Sequence, residues 1–105
     1  MHPDFATQGY LAVPGFKNQS ALDAVRTRAA ELVEAFDPES SRTVFTTREQ
    51  HRQVDDYFLG SAHTVRCFFE EEAFDDQGRL KQDKALSINK IGHALHDLEP
   101  VFDHF

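Results

Sequence analysis

The chain has one cysteine, no tryptophan, and only five glycines and four prolines in 105 residues. A lone Cys67 cannot close an internal disulfide, which points to a reducing compartment or one indifferent to redox state. With no Trp and two Tyr, much of the core must come from the ten Phe. No Pro/Gly-rich linker, repeat or low-complexity tract divides the chain, so residues 1–105 read as one unit. The opening residues lack a basic start and an unbroken apolar stretch, so a conventional secretion signal is not expected. No run approaches the roughly 18 apolar residues of a membrane helix. The expected location is therefore cytoplasmic, without a membrane partner. Basic residues are also scarce: eleven against eighteen acids, a net charge of −7. Nucleic-acid backbones need a basic footprint, so a nucleic-acid partner is not expected.

The acidity is uneven. Residues 1–52 carry a net charge of −1 and residues 53–105 one of −6, with five carboxylates in the seven positions Glu70 to Asp76. Leu22, Val25, Ala29, Leu32, Val33 and Phe36 recur at helical spacing, with Arg26, Arg28, Glu31 and Glu34 mostly elsewhere. Asn18 or Ser20 can cap this helix, and Asp37-Pro38 ends it. Before it, a short helix feeds a strand at Tyr10–Val13 that Pro14-Gly15 closes. Thr43–Phe45 reads as a short strand, and Thr46 or Thr47 with Glu49 or Gln50 as a capping box. Gly60-Ser61 breaks the chain. Thr64–Glu70 reads as a strand, with Val65, Cys67 and Phe69 on one face and Arg66, Phe68 and Glu70 on the other. Asp75–Gly78 is a turn, Leu86–Ile91 a second strand, and Leu95–Phe105 a helix. The predicted class is α+β.

Six histidines raise the question of a metal. His93 and His96 would share a helix face and could chelate. The alternative, one in the core and one titrating at the surface, is favoured, because two ligands without a convergent third are no site. His2-Pro3-Asp4 has the His-x-Asp spacing of an iron facial triad but sits on an unanchored terminus. The acidic run lacks the glycine around which calcium loops space their ligands, and reads as a solvated strand end. Cys67, within an aromatic strand, reads as a small buried hydrophobe. No residue is assigned a catalytic role. Lys90 stands out: alternation puts it on one face with Leu86 and Ile88. It either snorkels out at the strand end or meets an anion inside, and the pattern alone favours snorkelling.

Phe5 to Phe16 resembles the opening of the phytanoyl-CoA dioxygenase family. Asp56-Tyr57-Phe58-Leu59, Val65-Arg66-Cys67-Phe68-Phe69-Glu70 and Ser87-Ile88-Asn89-Lys90-Ile91-Gly92-His93-Ala94-Leu95-His96 resemble it more specifically. The resemblance runs from Phe5 to Phe105. It implies an Fe(II)- and 2-oxoglutarate-dependent oxygenase, acting on a small molecule, with a double-stranded β-helix related to the jelly roll. It also implies that Lys90 contacts 2-oxoglutarate, which reverses the preference for snorkelling. The family's iron ligands and the arginine for the far carboxylate match nothing here. The chain thus resembles the N-terminal portion of a longer enzyme, with an incomplete barrel and the Leu22–Phe36 helix as a buttress. It is expected to be inactive alone, to take up neither Fe(II) nor 2-oxoglutarate at micromolar levels, and to self-associate through unpaired strands and an uncovered Phe-rich face. The competing reading is a non-catalytic short form that serves as a binding or scaffold module.

Overall fold

The structure, a computed structural model, describes residues 1–44 and 56–105. Phe45 and the capping box of Thr46 or Thr47 with Glu49 or Gln50 lie outside the described residues. Helix α1, Pro3–Gln8, starts on the His2 side chain, whose Nδ1 accepts from the Asp4 N–H, and ends at Gly9 with φ 79°. That left-handed exit suits glycine, which has no Cβ to clash. The strand expected at Tyr10–Val13 does not form. Extended residues become a strand only by pairing, and among the described residues no ladder reaches them.

Helix α2, Gln19–Ala35, is the long helix expected, and Asn18 is its cap: Oδ1 accepts from the Ala21 N–H at 2.8 Å. Its half-buried positions are Ala21, Val25, Arg28, Ala29, Leu32 and Val33, so the stripe is real but slightly rotated. Leu22 stays exposed, and Arg28 joins the inward face instead of standing elsewhere. At the other end, Lys84 Nζ donates to the carbonyls of Glu34 and Phe36, satisfying groups a helix terminus leaves without partners.

Helix α3, Asp56–Leu59, precedes the tight break at Gly60-Ser61. Strand β1, Val65–Phe69, then pairs antiparallel with β2, Ile88–His93. The pairing aligns Val65 with His93, Arg66 with Gly92, Cys67 with Ile91 and Phe68 with Lys90, but Phe69 with Ile88. Asn89 is therefore an extra residue in the ladder, a β-bulge. β2 also begins later than expected, because Lys84–Leu86 forms a 3₁₀ turn.

Both faces of this hairpin are covered. Phe68 and Phe69 have no solvent exposure. The Phe68 ring meets Tyr57 and Phe58 at centroid distances of 5.3 and 5.8 Å, while Phe69 meets Phe36 and Phe74 at 5.7 and 4.8 Å. The Phe-rich face expected to be bare is thus the core. The uncovered apolar surface lies at Tyr10, Leu11, Val13 and Phe16 instead. Phe69 N–H also donates to the Thr43 carbonyl at 2.9 Å, and Val44 bridges Phe69 in parallel, so the described half of the Thr43–Phe45 segment does lie beside β1.

The expected single helix at the end is two: α4, Leu95–Leu98, and α5, Pro100–His104. Glu99, which precedes proline, adopts extended geometry and caps α5 through Oε2. Its Oε1 accepts from Arg28 Nε at 2.7 Å, an ion pair joining α5 to α2. The described residues form an α+β arrangement around a two-stranded sheet.

Candidate functional site

Consecutive strand residues point to opposite faces, so Phe68 and Phe69 carry their partners to opposite sides. Lys90, across from Phe68, shares the α3 side with Arg66 and Gly92; Ile88, across from Phe69, lies on the α2 side. Strict alternation would have put Lys90 and Ile88 together, and the bulge at Asn89 separates them. Leu86 does not join either one, since it belongs to the 3₁₀ turn and is exposed.

Lys90 is half-buried, and its stem runs over Gly92. An ideal Cβ at Gly92 would stand 3.1 Å from Lys90 Cε and 3.9 Å from Cγ. Glycine thus provides the floor on which the aliphatic stem lies. Arg66, on the same face, is committed to α3: its guanidinium carbon stands 4.9 Å over the Tyr57 ring, and Nη1 donates to the Tyr57 carbonyl. The Tyr57 hydroxyl in turn donates to the Cys67 carbonyl at 2.9 Å. Burial pushes the Tyr57 phenol up from its ordinary value, and the neighbouring Cys67 adds to the shift. These contacts hold α3 against the hairpin and make one wall of the Lys90 face.

His93 borders the same face. Its ring is clamped edge-on by Phe58 at 5.6 Å and Phe68 at 5.8 Å, and Nδ1 stands 2.8 Å from Ser61 Oγ. Ser61 is fully buried and also donates to the Phe58 carbonyl at 2.5 Å. In the sequence, Ser61 is legible only as a chain breaker, and nothing in a spacing of 32 residues marks it as the partner of His93.

The other sequence candidates are dispersed. His96 lies on α4, 77% exposed beside Asp97, while His93 ends a strand, so the two do not share a helix face. His2 and Asp4 form a local exposed pair around the α1 cap. Among the described residues no three His, Cys, Asp or Glu converge as a metal site. Glu71 and Glu72 are solvated beyond the end of β1, and Asp75 is absorbed in its turn by the N–H groups of Gln77 and Arg79. Cys67 is a buried hydrophobe, as expected, and burial raises its thiol pKa, which disfavours the reactive thiolate. An apolar groove of about 480 Å³ between α2 and α5, lined by Phe16, Ala21, Val101 and Phe105, does not include Lys90.

The profile of the family described as phytanoyl-CoA dioxygenase (PhyH) matches residues 5–105. The chain is 46% identical over 101 residues to "Phytanoyl-CoA dioxygenase" of Arabidopsis thaliana, an alignment covering 96% of this chain and 35% of that protein. It is 51% identical over 102 residues to "Phytanoyl-CoA dioxygenase 1" of Oryza sativa subsp. japonica, with 96% and 35% covered. It is 42% identical over 103 residues to "Phytanoyl-CoA dioxygenase domain-containing protein 1" of Danio rerio, with 93% and 35% covered. The chain spans about a third of the length of these relatives. With the match extending over nearly every residue, the chain belongs to the phytanoyl-CoA dioxygenase family.

Proposed function

We propose that this chain supplies the N-terminal part of an Fe(II)- and 2-oxoglutarate-dependent dioxygenase that hydroxylates a small molecule in the cytosol, and that Lys90 contacts 2-oxoglutarate. The observation that carries the reading is the placement of Lys90, half-buried beside a fully buried Phe68 with its stem resting on Gly92. A dicarboxylate entering an apolar, low-dielectric site needs a cation to offset its desolvation, and an ammonium on a supported stem supplies one. Family membership favours the same reading and, with it, a double-stranded β-helix of which β1 and β2 are two strands.

The two implied cofactors fit the described residues differently. Lys90 fits one carboxylate of 2-oxoglutarate. Iron would need a convergent set of histidine and carboxylate ligands, which the described residues do not assemble. No step through iron is therefore derived from them. Self-association belongs to the same proposal: among the described residues β2 pairs on one side only, and the apolar arm from Tyr10 to Phe16 is uncovered.

Titration of the chain with 2-oxoglutarate, followed by NMR, tests the assignment. At millimolar ligand the resonances of Lys90 and Gly92 should move, and Lys90→Met should abolish the response. Calorimetry should detect no micromolar uptake of Fe(II) or of 2-oxoglutarate by this chain. Shifts that survive Lys90→Met would overturn the lysine assignment, and tight stoichiometric uptake of both would overturn the partial-site reading.

A further inference from the structure

The apolar groove between α2 and α5 lies apart from the Lys90 face, and its chemistry is different. Ala21 and Ala24, one turn apart on α2, keep that helix surface low, and Pro100 and Val101 of α5 form the other side. The Arg28–Glu99 pair at 2.7 Å sets the spacing of the two helices, so the groove is part of the fold. At about 480 Å³ it has the size of a small-molecule pocket.

Its polar lining is one-sided. Among the described residues that line it none is acidic, in a chain with eighteen acids and a net charge of −7. The cation is Lys17, half-buried, with its ammonium 4.4 Å from the Phe105 ring centroid and 5.8 Å from that of Phe16. An ammonium has three hydrogens to donate. One goes to the Phe105 main-chain oxygen, and no Asp or Glu among the described residues takes the others. The two rings flank the charge but supply no hydrogen-bond acceptor to it. A cation beside apolar walls calls for a ligand that joins one anionic group to an apolar body. We infer that the groove is a second small-molecule site, which takes an apolar monocarboxylate. Its carboxylate accepts from Lys17 Nζ, and its body lies over Ala21, Ala24 and Val101. One lysine offsets the charge of one carboxylate, whereas a polyanion would need more cations than the groove holds. 2-Oxoglutarate has two carboxylates and no apolar body, so this site and its ligand are independent of the proposal for Lys90.

Three probes test this on the chain by amide NMR: naphthylacetate, naphthylethanol, which has the same body without the charge, and acetate, which has the charge without the body. Naphthylacetate should shift the amides of Lys17, Ala21, Ala24 and Val101 and leave Lys90 and Gly92 unmoved. It should bind about tenfold more tightly than naphthylethanol, the effect of one charge-assisted hydrogen bond. Acetate at the same concentration should move nothing. Lys17→Met, which keeps an apolar stem, should erase the preference for the acid and leave naphthylethanol binding unchanged. Ala24→Trp, which fills the groove from an exposed helix position, should abolish binding of both, with unmoved Phe68 and Phe69 amides showing that each variant is folded. Equal affinities for acid and alcohol in the parent overturn the inference, as do a preference that survives Lys17→Met, shifts centred on Lys90, or no response to any probe. Groove amides that move with protein concentration alone would also overturn it, since a second copy would then be the occupant.

Discussion

Phe68 and Phe69 are sealed from solvent on opposite faces of the hairpin, whereas Tyr10, Leu11, Val13 and Phe16 leave 63, 43, 56 and 76% of their surface exposed. All are apolar or aromatic, and all lie in extended or turn-flanked segments. What distinguishes them is the presence of a partner. Phe69 finds Phe36 at the C-terminal cap of α2 and Phe74 beyond the strand, while α3 is held over Phe68 by Tyr57 and Arg66. Among the described residues no aromatic ring packs against the arm, and Phe16 has the Lys17 ammonium 5.8 Å from its ring centroid. Hydrophobic composition proposes burial, but an opposing surface is needed to complete it.

The sharpest way to break this contrast is at Phe69. Phe69→Ala should cost about 3–5 kcal/mol by the loss of buried area and the cavity left behind, read from urea denaturation. A cost no greater than that of Phe16→Ala would erase the distinction between the two regions.

An intermediate effect is expected at the pair that ties α5 to α2. Burial pushes the Glu99 carboxyl up, but the Arg28 hydrogen bond and the N–H groups of Phe102 and Val101 outweigh it and hold the group below its usual value. The bond to Glu99, followed by that to Glu31, raises Arg28 correspondingly. A carboxyl lowered in the folded state contributes stability that is full above the ordinary carboxylate range and is lost as pH falls through the folded pKa. Glu99→Gln should therefore lower the Tm at neutral pH and flatten its decline on acidification. An unchanged slope would remove Glu99 as a source of acid sensitivity.

The smallest effect belongs to the arm. Leu11→Ser should change stability by no more than about 0.5 kcal/mol, as for surface positions generally. Amides of residues 10–13 should exchange hydrogen far faster than those of β1, because few buried contacts protect them. Slow exchange there would mean that the arm is covered in solution, and would support self-association.

Elements governed by local chemistry were the most legible ones. The spacing along α2 and the Asn18 cap are readable because both act within a few turns of one helix. Arg28 was harder to place: it interrupts an apolar stripe, and its partner Glu99 is 71 residues away. The division of α4 from α5 carried a local signal, since the rule that ends α2 before Pro38 applies equally to Glu99 before Pro100. Lys90 is conspicuous in the sequence as a cation following aliphatic residues, but its face depends on the bulge, which simple alternation cannot register. The Ser61–His93 couple was illegible, because a hydrogen bond between a chain break and a strand end leaves no periodicity behind.

The single additional residue at Asn89 makes orientation in β2 a matter of counting. The same side chains in the same order, paired without the bulge, would swing the ammonium to the α2 side with Ile88, whereas loss of Asn89 alone would leave Lys90 across from Phe68. Neither hydropathy nor net charge would register the exchange. In this hairpin, deletion of the bulged Asn89 should therefore be tolerated far better than insertion or deletion among the paired residues, which would reverse the faces beyond the edit.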